Sequence, residues 1–451
     1  MTSQSISNTF TLENLRRIYI DSFSQTKVTG VDNILPKHFS RNQNEELSRI
    51  VSKVYFEEYK FTRYKEKLIL KGANKLPRQI AIPTLRDRIT LKTLQGYLHR
   101  RLSDRLSMKV PQQVTREVKL AINSEKYEKV IKIDIKDFYP SIDHSILEEK
   151  LKVLGIEKEA ITLIESAVKN GFKKKSLNEC GIPQGLSISN ILAEIYFLEL
   201  DESFKGRPFF YKRYVDDVLI FCSSSSSEAI YKEFKDKVES INLSIHEKNN
   251  SDGKTEVKSI LNEFSYLGYL YNCDVKTKEV NKKEKTNISV RGSSRKRFQD
   301  SIASIFTLYA NAGKKKSKAL LFWKLNLRIT GCISNGKRKG WLFFFSEMND
   351  MPMLFEMDNM IKNLCARHRV EYKGVKKLTR AIHVIKHEKW ESSYFPNFDE
   401  YNYKSMREVV AYDRGTRPHK VKLTDQDLKS AFWSIINREV RAMETDITSF
   451  S

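Results

Sequence analysis

The stretch Arg213-Tyr214-Val215-Asp216-Asp217-Val218-Leu219-Ile220-Phe221 sets two adjacent aspartates between two apolar, β-prone runs. Such runs read as strands, and the Asp-Asp pair reads as the tight turn joining them. Burying the strands would hold that turn rigid, so that two carboxylates project from one point. Hard divalent cations such as Mg²⁺ need oxygen ligands held this way, with substrate phosphates completing the shell. Two aspartates in an exposed hairpin would be only a turn, so the reading depends on the rest of the chain.

Upstream, Lys129-Val130-Ile131-Lys132-Ile133-Asp134-Ile135-Lys136 reads as a strand that delivers Asp134 near its end, followed by a turn through Tyr139 and Pro140. Two-metal phosphoryl transfer needs carboxylates from separate elements, and Asp134 with Asp216 can supply that pair. Between them, Gly181-Ile182-Pro183-Gln184-Gly185-Leu186-Ser187-Ile188-Ser189-Asn190 reads as a glycine-bounded loop entering an apolar helix from Ile191 to Leu200. Glycine-exposed amides at a helix N-terminus suit a nucleotide and its template base.

The ordered set resembles the palm of a bacterial reverse transcriptase, of the lineage that includes group II intron and retron enzymes. Asp134, Asp216 and Asp217 match that family's catalytic aspartates, with Tyr214-Val215-Asp216-Asp217 as its Tyr-x-Asp-Asp hairpin. Tyr139 matches the aromatic gate against a ribose 2′-hydroxyl, and Gln184-Gly185 the motif beneath the incoming nucleotide. Ser244-Ile245-His246-Glu247-Lys248 is similar to the segment carrying a lysine near the triphosphate, and Tyr266-Leu267-Gly268 to the primer grip. Lys75 to Arg88, with Lys75 and Arg78, is similar to the fingers segment, and Thr29-Gly30-Val31-Asp32-Asn33 to the entry of intron-encoded enzymes.

The resemblance implies an α+β, right-hand polymerase fold with fingers, palm, helical thumb and a helical C-terminal extension. It also implies attack of a primer 3′-hydroxyl on the α-phosphate of a deoxynucleoside triphosphate with two Mg²⁺ ions. Asp134, Asp216, Asp217 and the Ile135 carbonyl would be the metal ligands. Lys75, Arg78, Ile135, Asp137, Tyr139, Gln184, Gly185 and Lys248 would line the nucleotide site. Lys248 reads equally as a solvated surface lysine. After Gln184-Gly185 the chain has Ser189-Asn190 where intron enzymes usually have Ser-Pro, and Glu194 where an asparagine is common.

Charge agrees with a nucleic-acid partner. The 451 residues hold 80 Lys or Arg against 56 Asp or Glu, a net charge of +24, and excess of that size favours a polyanion through counterion release. Residues 281 to 340 hold 16 basic against 2 acidic residues, interleaved with Phe298, Phe306, Tyr309, Phe322 and Trp323. That pattern fits a groove along an RNA–DNA duplex. The expected organisation is 1–125 lead and fingers, 126–272 palm, 273–372 basic linker and helical thumb, and 373–451 helical extension. Ser223 to Ser227 reads as a loop, and helical periodicity runs through Glu45–Tyr55, Leu91–Leu106, 231–241, Phe298–Tyr309 and Leu354–Leu364.

No apolar run resembles a signal peptide or a membrane span, and the five cysteines are scattered without Cys-x-x-Cys pairing, which fits a reducing cytoplasm. His383 and His387 lie at i, i+4 without a third zinc ligand. No zinc endonuclease, ribonuclease H or integrase pattern is visible, nor the Asn-Ala-x-x-His expected of retrons. The chain is thus most similar to the domesticated "unknown group" enzymes, several of which act in anti-phage defence. Arg328-Ile329-Thr330-Gly331-Cys332 and Gly340-Trp341-Leu342-Phe343-Phe344-Phe345 resemble that group's C-terminal region. The expected partners are a dedicated structured non-coding RNA template, deoxynucleotides, a DNA product and its RNA–DNA duplex. The alternatives are an intron- or retron-type enzyme and a non-catalytic RNA-binding scaffold. Priming chemistry and oligomeric state stay open.

Overall fold

A computed structural model describes residues 5–24, 26–70, 77–106, 109–170, 179–248, 253–273, 286–311, 318–388 and 393–447. Two units emerge: Met1–Lys109 with Tyr127–Lys258, and Val110–Lys126 with Ser259–Ser451. Both mix helices with antiparallel strands, and the C-terminal region is mainly helical, so the class is α+β.

In the first unit, strands β1 (Lys65–Ile69) and β2 (Arg78–Ile82) form an antiparallel hairpin. The Leu85–Arg101 helix follows. Thr84 caps it by accepting from the Asp87 amide, while Asp87 accepts from Thr84 Oγ1 at 2.7 Å, Tyr59 Oη at 2.8 Å and the Thr62 amide at 3.1 Å. Gly30 is needed just behind this cap, because a Cβ there would stand 2.6 Å from Thr84 Cα.

The main sheet runs β4 (Phe210–Tyr214), β5 (Asp217–Cys222), β3 (Lys129–Lys136), β6 (Ser244–Ile245), with β7 (Glu256–Ser259) also paired to β3. Val130, Ile131, Ile133 and Ile135 are all buried. Being central, β3 is covered on both faces, and its near-continuous apolar run serves both rather than alternating with solvent. The Ser189–Phe204 helix is longer than the apolar run suggested and buried almost all round, including Ile191, Leu192, Ile195, Tyr196 and Phe197. The serine run ends sooner than expected, since Ser227 already opens the Ser227–Ser240 helix.

The second unit holds a three-stranded sheet of β8 (Phe264–Tyr266), β9 (Tyr269–Asn272) and β10 (Asn287–Val290). Around it lie the helices Pro111–Asn123, Gly292–Asn311, Lys318–Thr330, Met351–Arg367, Leu378–His387, Tyr403–Arg414 and Asp425–Thr445. Strands β11 (Cys332–Ser334) and β12 (Lys337–Lys339) form a hairpin that the sequence reading passed over. Its turn, Asn335-Gly336, has φ 53° and 66°, the pattern of a type I′ turn, which this dipeptide favours. Asp399 closes it, accepting from both turn amides at 2.8 Å. No helix among the described residues is long and apolar enough to cross a membrane.

Candidate active site

The register of the main sheet decides the site. Asp134 on β3 pairs directly with Asp217 on β5, and Asp217 pairs in turn with Tyr214 on β4. The connecting turn is therefore Val215-Asp216, one residue earlier than the Asp-Asp reading, and Asp217 belongs to the strand. Two-residue hairpin loops match strand twist, and shifting the turn by one would put every β5 side chain on the wrong face. The Ile135 amide donates to the Asp216 carbonyl at 3.1 Å, stitching the turn to β3. Asp134, Asp216 and Asp217 thus share one edge of the sheet.

Val215 carries the strain of this arrangement. Its φ is 57°, a left-handed conformation that β-branched residues avoid. Arg213 holds it from one side: Nη1 donates to the Val215 carbonyl at 2.8 Å. The guanidinium also reaches Glu194 (2.7 and 3.1 Å) and Asp201 (2.6 to 3.1 Å), and stacks 4.6 Å from the Phe197 ring centroid. Only 2% of its side chain is exposed. Burial alone would lower the guanidinium's pKa, but Asp201 and Glu194 outweigh it and hold it well above the ordinary value.

The described residues expected to line the nucleotide lie on the same unit. Asp137, exposed with φ 44°, opens the short Phe138–Ser141 helix that presents Tyr139. The Tyr139 hydroxyl donates to Asn190 Oδ1 at 2.8 Å, and its carbonyl accepts from the Ile182 amide at 2.8 Å. Burial, then the charge of Asp216, pushes the phenol's pKa well up, so it stays neutral at physiological pH. Strand β2 docks on the loop below: the Ala81 amide donates to the Gln184 carbonyl at 2.7 Å. A Cβ on Gly185, whose φ is 103°, would stand 2.6 Å from the Ala81 carbonyl oxygen. Gly185 therefore allows close packing against β2. Arg78 starts β2 within electrostatic reach of Tyr139. Lys75 lies outside the described residues.

The lysine assignment changes. Lys248 pairs with Glu228 and lies 5.5 Å from the Tyr231 ring centroid, turned to the Ser227–Ser240 helix. Lys254 instead stands 3.1 Å from Asp134 Oδ2, with His246 Nε2 at 3.3 Å from the same oxygen and 2.8 Å from the lysine. Pairing of β6 and β7 with β3 brings both residues in; the His246 amide also donates to the Asp134 carbonyl at 3.1 Å. Only His246 lies within the quoted motif, and nothing local marks Lys254.

Among the described residues no three His, Cys, Asp or Glu side chains already converge as a ligand set. Apposed carboxylates on neighbouring strands repel, and Asp134 turns to the ammonium. The donor set nonetheless fits a hard divalent cation: three carboxylates from two strands and their turn, with the Ile135 backbone beside them.

The Tyr266, Leu267 and Gly268 motif falls in the second unit. Leu267 and Gly268 (φ 49° and 78°) make the turn between β8 and β9, and Tyr266 and Leu267 are buried. Any contact they make with a nucleic acid would have to come from the backbone. The His383 and His387 rings lie 4.7 Å apart between centroids and tilted by 46°, with Glu388 at 3.9 Å from His383.

Residues 69–271, a little under half of the chain, match the family model described as "Reverse transcriptase (RNA-dependent DNA polymerase)". Among solved structures, the apo telomerase of Candida tropicalis, truncated from its C-terminal domain, is similar at 16% identity and a TM-score of 0.39. That alignment covers 51% of this chain and 55% of the telomerase chain, so the two share about half their lengths. No curated protein matches the chain.

Proposed function

We propose that the chain is an RNA-directed DNA polymerase of right-hand type, on the match of residues 69–271 to the reverse transcriptase family model, and that Asp134, Asp216 and Asp217 form its catalytic centre. The observation that carries this is the register pairing of Asp134 with Asp217, together with the Ile135–Asp216 backbone bond. Reverse transcriptase domains use divalent cations. Two Mg²⁺ ions, when bound, would lower the pKa of the primer hydroxyl and stabilise the triphosphate and its leaving oxygens. Asp134 and Asp216 would hold them, with Asp217 and the Ile135 carbonyl beside them.

The remaining roles belong to the chain's own side chains. Arg78 offers a bidentate fork to the triphosphate. Tyr139, neutral and tethered by Asn190, would close the sugar pocket against a 2′-hydroxyl. Gln184 and Gly185 would form the floor. Lys254 takes the place first given to Lys248, as the ammonium standing at the carboxylates and a candidate acid for the departing pyrophosphate. The test is deoxynucleotide incorporation on an RNA template by the wild type and Asp216→Ala. Loss of incorporation with RNA binding intact is expected, and equal signals would remove the assignment.

We further propose that the template is a dedicated structured RNA and the setting anti-phage defence. Support comes from the resemblance of Arg328–Cys332 and Gly340–Phe345 to the domesticated enzymes, and from the basic stretch 281–340. In the structure Gly331 and Gly340 meet at the base of the β11–β12 hairpin, where a Cβ on Gly340 would stand 2.7 Å from Gly331 Cα. Sequencing nucleic acid that copurifies with the protein checks the template. One recurrent RNA with complementary DNA is expected, whereas a random transcript sample would count against it.

A further inference from the structure

Four residues of the Ser189–Phe204 helix, Asn190, Glu194, Phe197 and Asp201, recur at spacings of four, three and four. That spacing places them on one helix face. Each touches part of the candidate active site or the residue that supports it. Asn190 holds the Tyr139 hydroxyl, Glu194 and Asp201 grip Arg213, and Phe197 lies under the guanidinium. Tyr211, on β4, adds a hydroxyl bond to Asp201 at 2.6 Å.

The consequence is mechanical. Val215 occupies a conformation that its side chain disfavours, so its peptide would relax if unheld, and Asp216 would swing with it. Arg213 holds the Val215 carbonyl, but an arginine fork is only as fixed as its own partners. Those partners come from a helix buried on nearly every side. Asp201 is shared with Tyr211, and the Tyr211 bond settles its place. Glu194 bonds both Nη atoms, including the Nη1 that carries Val215.

We propose that Glu194, acting through Arg213, is the positioning residue that sets the Asp216 carboxylate against Asp134, and thereby sets the affinity of this edge for a divalent cation. This rests on the catalytic reading of Asp134 and Asp216 above. Glu194 reaches the turn only by way of the Arg213 guanidinium. Its effect is on where the turn stands.

The experiment is direct Mn²⁺ binding to the full chain, followed by the electron paramagnetic resonance of free Mn²⁺, for the wild type, Glu194→Gln and Asp134→Asn. Removal of an outer partner of a metal ligand typically costs about 10- to 100-fold in affinity. Glu194→Gln, which keeps the shape and one hydrogen bond, is expected to weaken Mn²⁺ binding about tenfold. The half-saturating Mn²⁺ for incorporation should rise by the same factor, with the KM for deoxynucleotide unchanged. Arg213→Lys, which keeps the charge and loses the fork, should shift binding in the same direction and serves if Glu194→Gln does not fold. Wild-type Mn²⁺ affinity in folded Glu194→Gln, even with a lowered unfolding midpoint, would make Glu194 merely structural and overturn the proposal. Failure of the catalytic reading looks different: Asp134→Asn would then bind Mn²⁺ as the wild type does.

Discussion

Tyr139 and Lys254 show how much single contacts are asked to do. The Tyr139 ring is placed from two directions, by the Ile182 amide on its carbonyl and by Asn190 on its hydroxyl. A net hydrogen bond of this kind is worth about 1 kcal/mol, or roughly fivefold in a rate ratio. Asn190→Ala should therefore lower the ratio of deoxynucleotide to ribonucleotide incorporation about fivefold, with RNA affinity unchanged. An unaltered ratio would mean that packing alone positions the ring. For the lysines, a positioned acid contributes about 10² or more to a rate. Lys254→Ala should then cost incorporation about a hundredfold, while Lys248→Ala, whose partner is Glu228, should stay within about twofold. Comparable losses in single-turnover assays would return Lys248 to the site. Asp134, Asp216 and Asp217 were legible because strand-forming runs flank them. Lys254 was not, because strand pairing brings it to Asp134.

Among elements, the β1–β2 hairpin and the Gln184–Gly185 loop are joined by a contact that admits no side chain. Gly185 has both a positive φ and a carbonyl 2.6 Å from where its Cβ would lie. Gly185→Ala must push β2 away and give up the Ala81–Gln184 bond. A loss of about 3 kcal/mol follows from combined backbone strain and a broken buried contact. Urea unfolding should show it as a lowered midpoint, and an unchanged midpoint would mean that the loop shifts freely. Gly206 is the contrast: its φ is 72°, yet nothing lies within 4 Å of its Cβ. Helices were legible from apolar periodicity but with ends up to six residues off, as where the periodicity over Leu91–Leu106 belongs to the Leu85–Arg101 helix, whereas the β11–β12 hairpin was missed although Asn335-Gly336 signalled it, its strands being only three residues long.

At the scale of the whole molecule, charge and thiol burial make separate predictions. With a net charge of +24, affinity for a structured RNA should fall at least about a hundredfold between roughly 50 and 200 mM salt. A flat salt dependence in filter binding would mean that few phosphates are contacted. Of the five cysteines only Cys180 is exposed. Burial raises the others, Cys273 to about 11 and Cys332 to about 12, with Cys222 and Cys365 shifted the same way. A raised thiol pKa leaves the unreactive neutral form at pH 8. Iodoacetamide should add a single label to the native chain and five after denaturation, read by intact mass. A second rapid native label would mean that half-buried Cys273 reacts despite its raised pKa, and three or more would show that the buried thiols open readily.

Composition, charge and the order of motifs determined the α+β class and pointed to a polyanionic partner and to the carboxylate cluster, because those depend on residue type and local period alone. Which residue opens the turn, which lysine meets Asp134 and what holds Val215 in place were decided only by tertiary structure. Each depends on strand register or on a helix face brought against it from a distant segment. Asn190 and Glu194 make the point: in sequence they are two departures from a pattern, and in the fold they support the two sides of the site. Register and helix packing follow from burying both faces of β3 at once, a condition set by the assembled core rather than by any stretch within it.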